Sequence, residues 1–153
     1  MEQHVKEYYD TGELNRECYY LNGALHRVNG PAEISYYKNG KINEEIYCQN
    51  GTISRENGPA VIGYYNNGNV QEEIYFNDNY YHRTNGPAKI EYFPNGNIRL
   101  QKYYNMDLLH RLDGPAIIRY NEKGNIVFQA FYINNEEIDE FKCLVMNASK
   151  KNI

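Results

Sequence analysis

The sequence predicts an all-β protein in which tandem β-hairpins of 28 residues form one elongated, twisted antiparallel sheet with a short C-terminal capping helix. First, an N-G-P-A or D-G-P-A tetrapeptide recurs every 28 residues, and a fixed period of this size is typical of stacked repeat units. Second, Asn-Gly pairs separate short apolar stretches, which is a strong hairpin signal. Third, alternate residues of those stretches recur between units, as in half-buried strands. The tetrapeptides begin at Asn29, Asn57, Asn85 and Asp113.

The composition predicts one soluble domain over residues 1–153. Net charge is −4, pI is near 5.6 and mean hydropathy is −0.82. No stretch approaches the ~18 apolar residues of a membrane span, and the N-terminus lacks an apolar signal core. Three cysteines without metal-type spacing are expected as free thiols in a reducing compartment. We therefore expect an intracellular, cytoplasmic protein, neither secreted nor transmembrane, whose acidity disfavours nucleic acid as a partner.

Each unit is expected to supply two strands joined by a tight turn. In the second unit these are Ala32–Tyr37 and Ile42–Cys48, and Pro31 opens the first, where a missing N–H costs the sheet least. Five hairpins, about ten strands, are expected over residues 4–135, the first of them imperfect, as terminal repeats are. Because each unit carries three turn signals, a three-sided β-solenoid with parallel pairing between repeats is the alternative.

The pattern changes after Ile133. Asn134 in a capping position, acidic residues and apolar residues at roughly helical spacing predict a helix and tail over residues 136–153. The last residues, 150–153, are expected to be a disordered tail. We expect the helix to cover the open edge of the last strand, which would otherwise invite aggregation. A dimer contact is the alternative role.

The H-R-x-N/D-G loop is the first candidate site. We expect each of its arginines to lock the loop by pairing with a carboxylate or by stacking on a tyrosine ring. A guanidinium ladder that binds phosphates is the alternative. Histidines in successive units are expected ~9–10 Å apart, two strand spacings, which is too far for one zinc ion. The loop residues are Arg27, Arg55, Arg83, Arg111, His26, His82 and His110.

Aromatic columns form the second candidate site. A single-layer sheet cannot bury both of its faces, and tyrosine is favoured at interfaces. We therefore expect one of two aromatic stripes to bind a protein partner or a second copy, with intramolecular packing as the alternative. The first stripe is Tyr37, Tyr65 and Phe93, and the second is Tyr20, Phe76, Tyr104 and Tyr132.

No catalytic, metal or cofactor-binding residue is expected, and no small-molecule substrate. Glu45 and Glu73 resemble a catalytic pair, but the repeat equivalents are Gln101 and Gln129, which cannot supply a carboxylic acid. The phosphate-binding loops and dinucleotide fingerprints of nucleotide enzymes are absent. The chain is not expected to be an enzyme.

The Y-Y-x-N-G-x-I-x-E-E-I-Y-x-x-N-G pattern resembles the MORN repeat, and more closely its variant form. The motif runs from Tyr36 to Gly51, and the resemblance extends over Tyr8 to about Asn135. The added H-R-x-N/D-G-P-A sequence resembles a subtype of large DNA viruses and some bacteria. The resemblance implies stacked antiparallel hairpins and a role in scaffolding, protein–protein contact or membrane-surface association. The period of 28 and the G-P-A insertion depart from the basic MORN pattern.

From these observations we expect a non-enzymatic scaffold or adaptor with an unidentified protein partner and self-association as a homodimer. Peripheral attachment to an anionic membrane is the second hypothesis, which the net charge of −4 disfavours. An antitoxin-like binding role is the third. If the protein is viral, its compartment would be the cytoplasm of an infected host cell.

Overall fold

A computed structural model describes residues 1–150. In chain order its strands are β1 (Glu2–Tyr8), β2 (Leu14–Leu21), β3 (Ala24–Leu25), β4 (Glu33–Tyr36), β5 (Ile42–Ile46), β6 (Cys48–Gln49), β7 (Thr52–Ile53), β8 (Val61–Tyr64), β9 (Val70–Ile74), β10 (Phe76–Asn77), β11 (Tyr80–Tyr81), β12 (Lys89–Tyr92), β13 (Ile98–Lys102), β14 (Tyr104–Asn105), β15 (Leu108–Leu109), β16 (Ile117–Tyr120), β17 (Ile126–Ile133) and β18 (Glu136–Ile138). They are followed by helix α1 (Glu140–Lys150).

The predicted antiparallel hairpin sheet is confirmed. The main sheet has the order β1-β2-β4-β5-β8-β9-β12-β13-β16-β17-β18, so five hairpins follow one another along it. Each unit contributes a first strand, such as β4, and a second strand, such as β5. All strand pairs within the described residues are antiparallel. The solenoid alternative, which required parallel pairing between repeats, is therefore wrong.

The register repeats with the sequence. Ile34 lies opposite Glu17 on one side and Glu45 on the other, and Ile62 lies between Glu45 and Glu73 in the same way. Each first strand shifts register at its last residue, as between Ser35 and Tyr36. Such irregularities increase local twist, so the repeated bulge contributes to the twist of the whole sheet.

A second, shorter hairpin in each unit was not predicted. After the second strand β5 and Tyr47, the chain continues as β6. A turn at Asn50-Gly51 then leads to β7, which pairs with β6. The link between successive long hairpins therefore contains a strand, β7. Successive short hairpins are hydrogen-bonded to each other, with the Gly51 N–H donating to the Leu25 carbonyl at 2.9 Å. The equivalent hairpins are β2–β3, β10–β11, β14–β15 and β17–β18.

The core is thin and built from small side chains. The alanine of each G-P-A sequence has no exposed surface, and its carbonyl accepts the N–H of the tyrosine in the preceding second strand at 2.7–2.8 Å. Only a small residue fits this point, because the arginine loop and two strands meet there. The alanines are Ala32, Ala60, Ala88 and Ala116.

The C-terminal helix exists but begins later than predicted. Residues 136–138, which we assigned to the helix, form β18, because Asn134 and Asn135 adopt φ of 51° and 68° and close another hairpin. Asp139 caps the helix instead, with its carboxylate accepting the Lys142 N–H at 2.7 Å. The buried Cys143 thiol donates to the Leu112 carbonyl at 3.3 Å.

The expectation that this helix covers the open edge of the last strand is wrong, because β18 pairs with residues 131–133 and Ile126, Val127 and Phe128 stay 44–62% exposed. Lys150, which we expected in the disordered tail, is the last residue of the helix. The rest of that expected tail, residues 151–153, lies outside the described residues.

Candidate protein-interaction surface

Each complete repeat holds an arginine between a tyrosine ring and a glycine. The Arg83 guanidinium carbon lies 3.7 Å from the centre of the Tyr75 ring. A Cβ atom on Gly86 would lie 3.3 Å from the same carbon. Arg83 Nη1 also donates to the Pro87 carbonyl at 3.3 Å. The equivalent stacked pairs are Arg27–Tyr19, Arg55–Tyr47 and Arg111–Tyr103, at 3.7–4.0 Å.

This geometry explains the spacing of the loop motif. The arginine needs a glycine three residues later, because any side chain there would displace the guanidinium. In three loops that glycine also has φ between 141° and 146°, where other residues are strained. Each guanidinium is stacked on a tyrosine ring and uses Nη1 as a donor to a proline carbonyl of its own loop, which favours the structural role over phosphate binding. The loop-locking role itself stays a prediction, tested below.

The histidines of the loops do not share one environment. His26 Nδ1 accepts the Asn50 N–H at 3.1 Å, and His110 Nδ1 lies 2.8 Å from Asn134 Oδ1. His82 Nδ1 is buried without a partner. Among the side chains that the structure describes, no group of three His, Cys, Asp or Glu is arranged to hold a metal ion.

A carboxylate–tyrosine ladder crosses the sheet next to the arginine loops. Tyr64 Oη donates to Glu45 Oε2 at 2.8 Å, and Tyr92 Oη donates to Glu73 Oε2 at 2.8 Å. At Tyr36, burial first and then the hydrogen bond to Glu17 raise the pKa of the phenol to about 12. The recurring glutamates thus accept hydrogen bonds from neighbouring repeats. In the fourth repeat Gln101 accepts the Tyr120 hydroxyl just as well, at 2.9 Å.

The first aromatic stripe joins repeats along the turn edge of the sheet. Tyr37 Oη donates to the Tyr64 carbonyl at 2.6 Å, and Tyr65 Oη donates to the Tyr92 carbonyl at 2.7 Å. Phe93 occupies the same position without a hydroxyl. Because these hydroxyls are used inside the molecule, the first stripe is the weaker candidate for a partner surface.

The second stripe lies where the second strands enter the short hairpins. The Phe76 and Tyr81 rings are 4.7 Å apart, and the Tyr81 and Tyr104 rings are 5.2 Å apart, so aromatic contact runs from one repeat to the next. In the second unit Cys48 replaces the aromatic residue, and in the last unit the Tyr132 hydroxyl contacts Glu137 at 3.3 Å. Tyr20, Phe76, Tyr104 and Tyr132 are all half-buried.

Beside this stripe is an exposed apolar patch that sequence reasoning missed. We call Tyr80, Met106 and Leu108 the hairpin patch; their exposed fractions are 48%, 41% and 38%. They are close together because Asp107, next to Met106, donates its N–H to the Tyr81 carbonyl at 3.0 Å and accepts the Tyr81 N–H at 2.6 Å.

The hairpin patch departs from the repeat at every position. The equivalents of Tyr80 and Leu108 are Ala24, Thr52 and Glu136, and the equivalents of Met106 are Asn22, Asn50, Asp78 and Asn134. Met106 also has φ of 49°, a left-handed conformation that disfavours a long side chain. Comparing units for apolar departures, instead of for recurrence, would have found the patch in the sequence.

A single antiparallel sheet of stacked hairpins, with interlocking loops, defines a hairpin-repeat protein. A family model described as the MORN repeat variant matches residues 4–22, 32–54, 60–78 and 89–106, just over half of the chain. The chain therefore belongs to the MORN repeat family. No curated protein and no solved structure matches it.

Members of this family are generally associated with protein–protein or membrane interactions and are generally non-enzymatic. Within residues 1–150, no helix is long and apolar enough to cross a membrane. The G-P-A insertion has a structural role in the loops of this chain. Its glycine leaves room for the arginine, and its alanine is buried.

Proposed function

We propose that the protein is a non-enzymatic scaffold or adaptor that binds a protein partner through the hairpin patch and the adjoining second aromatic stripe. The observation that carries the proposal is Met106. The repeat supplies Asn or Asp at this turn position, which tolerate left-handed φ, yet here an exposed methionine occupies it at φ 49°. Residues held in sparsely populated backbone conformations cluster at functional sites.

The charge around the hairpin patch indicates the chemistry of the partner. Asp78 and Asp107 lie in the two neighbouring turns and are exposed. An apolar centre with an acidic border fits a protein segment that is apolar in the middle and carries Lys or Arg on its flanks. The same border repels anionic phospholipid, as does the net charge of −4. Protein binding is therefore favoured over membrane attachment.

Site-specific photo-crosslinking tests this proposal. A photoreactive residue placed at position 80 should yield a protein adduct in the native cell, and the crosslinked peptide should have the apolar, basic-flanked character described above. Position 52 is the matched control, because Thr52 occupies the same place in another short hairpin. Equal adducts at both positions, or none at position 80, would contradict the proposal.

Vesicle sedimentation tests the membrane alternative. The protein should remain in the supernatant with phosphatidylcholine–phosphatidylserine vesicles at low salt. Pelleting that is reversed by salt would favour the membrane surface instead. The antitoxin-like role, the viral or bacterial origin, the intracellular location and the homodimer stay predictions, and the identity of the crosslinked partner bears on the first three.

A further inference from the structure

Successive repeats are joined by pairing between the second strand of one unit and the first strand of the next. Each end of the main sheet exposes one of the two strand edges that such a joint uses. Each second strand before β17 pairs on its far side with the first strand of the next unit, through three register pairs. Residues 126–130 of β17 pair with β16 alone. Phe128 is consequently 44% exposed, whereas its equivalent Leu100 is 9% exposed, and Ile126 and Val127 beside it are 52% and 62% exposed.

At the other end of the sheet, β1 occupies the place of a first strand and has β2 as its one neighbour among the described strands. It pairs with β2 in the register that β4 uses with β5, Lys6 opposite Glu17 as Ile34 is opposite Glu45. Nothing in the described part of the chain pairs with its outer edge.

We propose that β1 of a second copy adds to β17 of the first, so that the chain assembles head to tail as though its repeats continued. The internal joints give the register, in which Lys6, Val5 and Glu7 of one copy face Gln129, Ala130 and Phe128 of the other. The inference uses the ends of the sheet and does not depend on the hairpin patch.

Head-to-tail addition would also form, between two copies, a side-chain hydrogen bond that occurs four times inside the chain. Tyr36, Tyr64, Tyr92 and Tyr120 each donate to the glutamate or glutamine of the preceding unit. Tyr8 is the tyrosine of this column in β1 and is 59% exposed. Gln129 is the last acceptor of its column and has no following tyrosine. Head-to-tail addition would bring Tyr8 to Gln129.

The joint would also place charged side chains on both sides of the Phe128 ring, with Glu7 still paired with Arg16 of its own copy at 2.7 Å. The Arg119 guanidinium carbon lies 5.0 Å from the Phe128 ring centre, at the exposed last hairpin. The proposed register brings the Glu7 carboxylate of the second copy next to Phe128, on the side of the sheet that Arg119 occupies. An arginine and a carboxylate would then flank the same phenyl ring.

The proposed contact between copies is head-to-tail and small. Because its two surfaces differ, addition repeats without closing into a symmetric dimer. Residues 1–3 of the incoming strand must turn away from β18, as residues 29–31 turn away in the internal joint. With three register pairs, the contact falls in the small-interface class of transient association.

Two blocked variants provide the test. Tyr103 N–H faces the next first strand, donating to the Ala116 carbonyl at 2.8 Å, so its equivalent Phe131 and, two residues earlier, Gln129 direct their N–H groups to the open edge of β17. Gln129→Pro removes a donor that only the second copy would use, and proline is tolerated at such edge positions. Lys6→Pro does the same on the outer edge of β1.

Mass is measured by sedimentation equilibrium over a concentration series, with circular dichroism and melting temperature as folding controls. The native chain should gain mass continuously with concentration. Each blocked variant should stay monomeric alone, and an equimolar mixture should form a one-to-one dimer. A native chain that stays monomeric at the highest concentration, or dimers of Lys6→Pro alone, which would indicate a symmetric β17 contact, would overturn the proposal.

Side-chain variants keep the test valid if a proline variant fails to fold. Tyr8→Phe should weaken association about fivefold, the effect of one hydrogen bond. Gln129→Glu, which restores the acceptor of the earlier repeats, should preserve association. No change on Tyr8→Phe would contradict the proposed register.

Discussion

At the scale of single residues, the stacking of arginine on tyrosine recurs in all four complete loops. Arg83→Ala removes a guanidinium stacked on Tyr75 and bonded to the Pro87 carbonyl. We expect a loss of about 2 kcal/mol, which corresponds to a melting temperature lower by roughly 4–8 °C. Differential scanning calorimetry measures it.

Arg99→Ala is the control for loss of positive charge. Arg99 is 50% exposed and pairs with Glu91, so its removal should cost no more than about 1 kcal/mol. If Arg83→Ala melts like the native protein while binding of inorganic phosphate is lost, the phosphate-binding alternative is favoured and the loop-locking role is wrong.

The half-buried phenols make the free energy of unfolding depend on pH in the alkaline range. Tyr36 has its pKa raised to about 12 from an ordinary value of 10. Below pH 10 the phenol is protonated in both states, and its hydrogen bond contributes fully. Between pH 10 and pH 12 the unfolded chain loses the proton first, so the free energy of unfolding falls as pH rises.

Urea denaturation across this interval, combined with tyrosinate absorbance, measures the effect. Tyr36→Phe should be less stable than the native chain below pH 10 and should lose less stability above it. An identical pH dependence of the two proteins would show that Tyr36 does not contribute in this way.

At the scale of structural elements, the short hairpins suggest a stabilising substitution. Asn79 Oδ1 accepts the Ile53 N–H at 2.7 Å, and Asn135 Oδ1 accepts the Leu109 N–H at 2.7 Å. Gly51 holds the equivalent position against Leu25 and has no side chain to do so. A Cβ there would lie 3.7 Å from the Ala24 Cβ, an ordinary contact.

Gly51→Asn should therefore add a hydrogen bond. Asn79 adopts φ of 69° at the same position, so asparagine is compatible with this turn. We expect a gain of about 1 kcal/mol and a melting temperature higher by roughly 2–4 °C. Asn79→Gly is the reverse control and should lower it by a similar amount. A fall on Gly51→Asn would mean that left-handed strain exceeds the added bond.

The same elements show what could be predicted from the sequence. The 28-residue period, the alternation of apolar residues and the Asn-Gly turn pairs were enough to predict the ten long strands, because all three are local patterns in the sequence. The short strands β7, β11 and β15 have two residues each, too few for alternation to be visible. The predicted start of the helix was wrong for a related reason. Asn134 is suited both to capping a helix and to closing a left-handed turn. Which of the two forms depends on the pairing of β18 with β17.

The candidate surface was predictable in part. The four residues of the second stripe recur in one column and were identified by that recurrence. The hairpin patch was not, because its members are exceptions within their columns. Likewise, the stacking of arginine on tyrosine was one of two expected geometries, and sequence alone does not place the glycine against the guanidinium.

At the scale of the whole molecule, one unit serves both folding and binding. Every internal joint uses the same strand register, loop and tyrosine ladder, so stability is distributed along the sheet. Sites that deviate from the unit are then free to bind partners, as the hairpin patch does in our proposal. The ends of the sheet, where the unit has no neighbour, are the other such place.

The most direct test of this account is a comparison of the native chain with Met106→Asn. Asparagine is the residue that the repeat uses at this turn, so relief of left-handed strain should stabilise the protein by about 1 kcal/mol. If Met106 is retained for binding, the same variant should lose affinity for the protein crosslinked at position 80. Titration calorimetry with that partner and thermal melting give both values. A variant that is more stable and binds as well as the native chain would contradict the account.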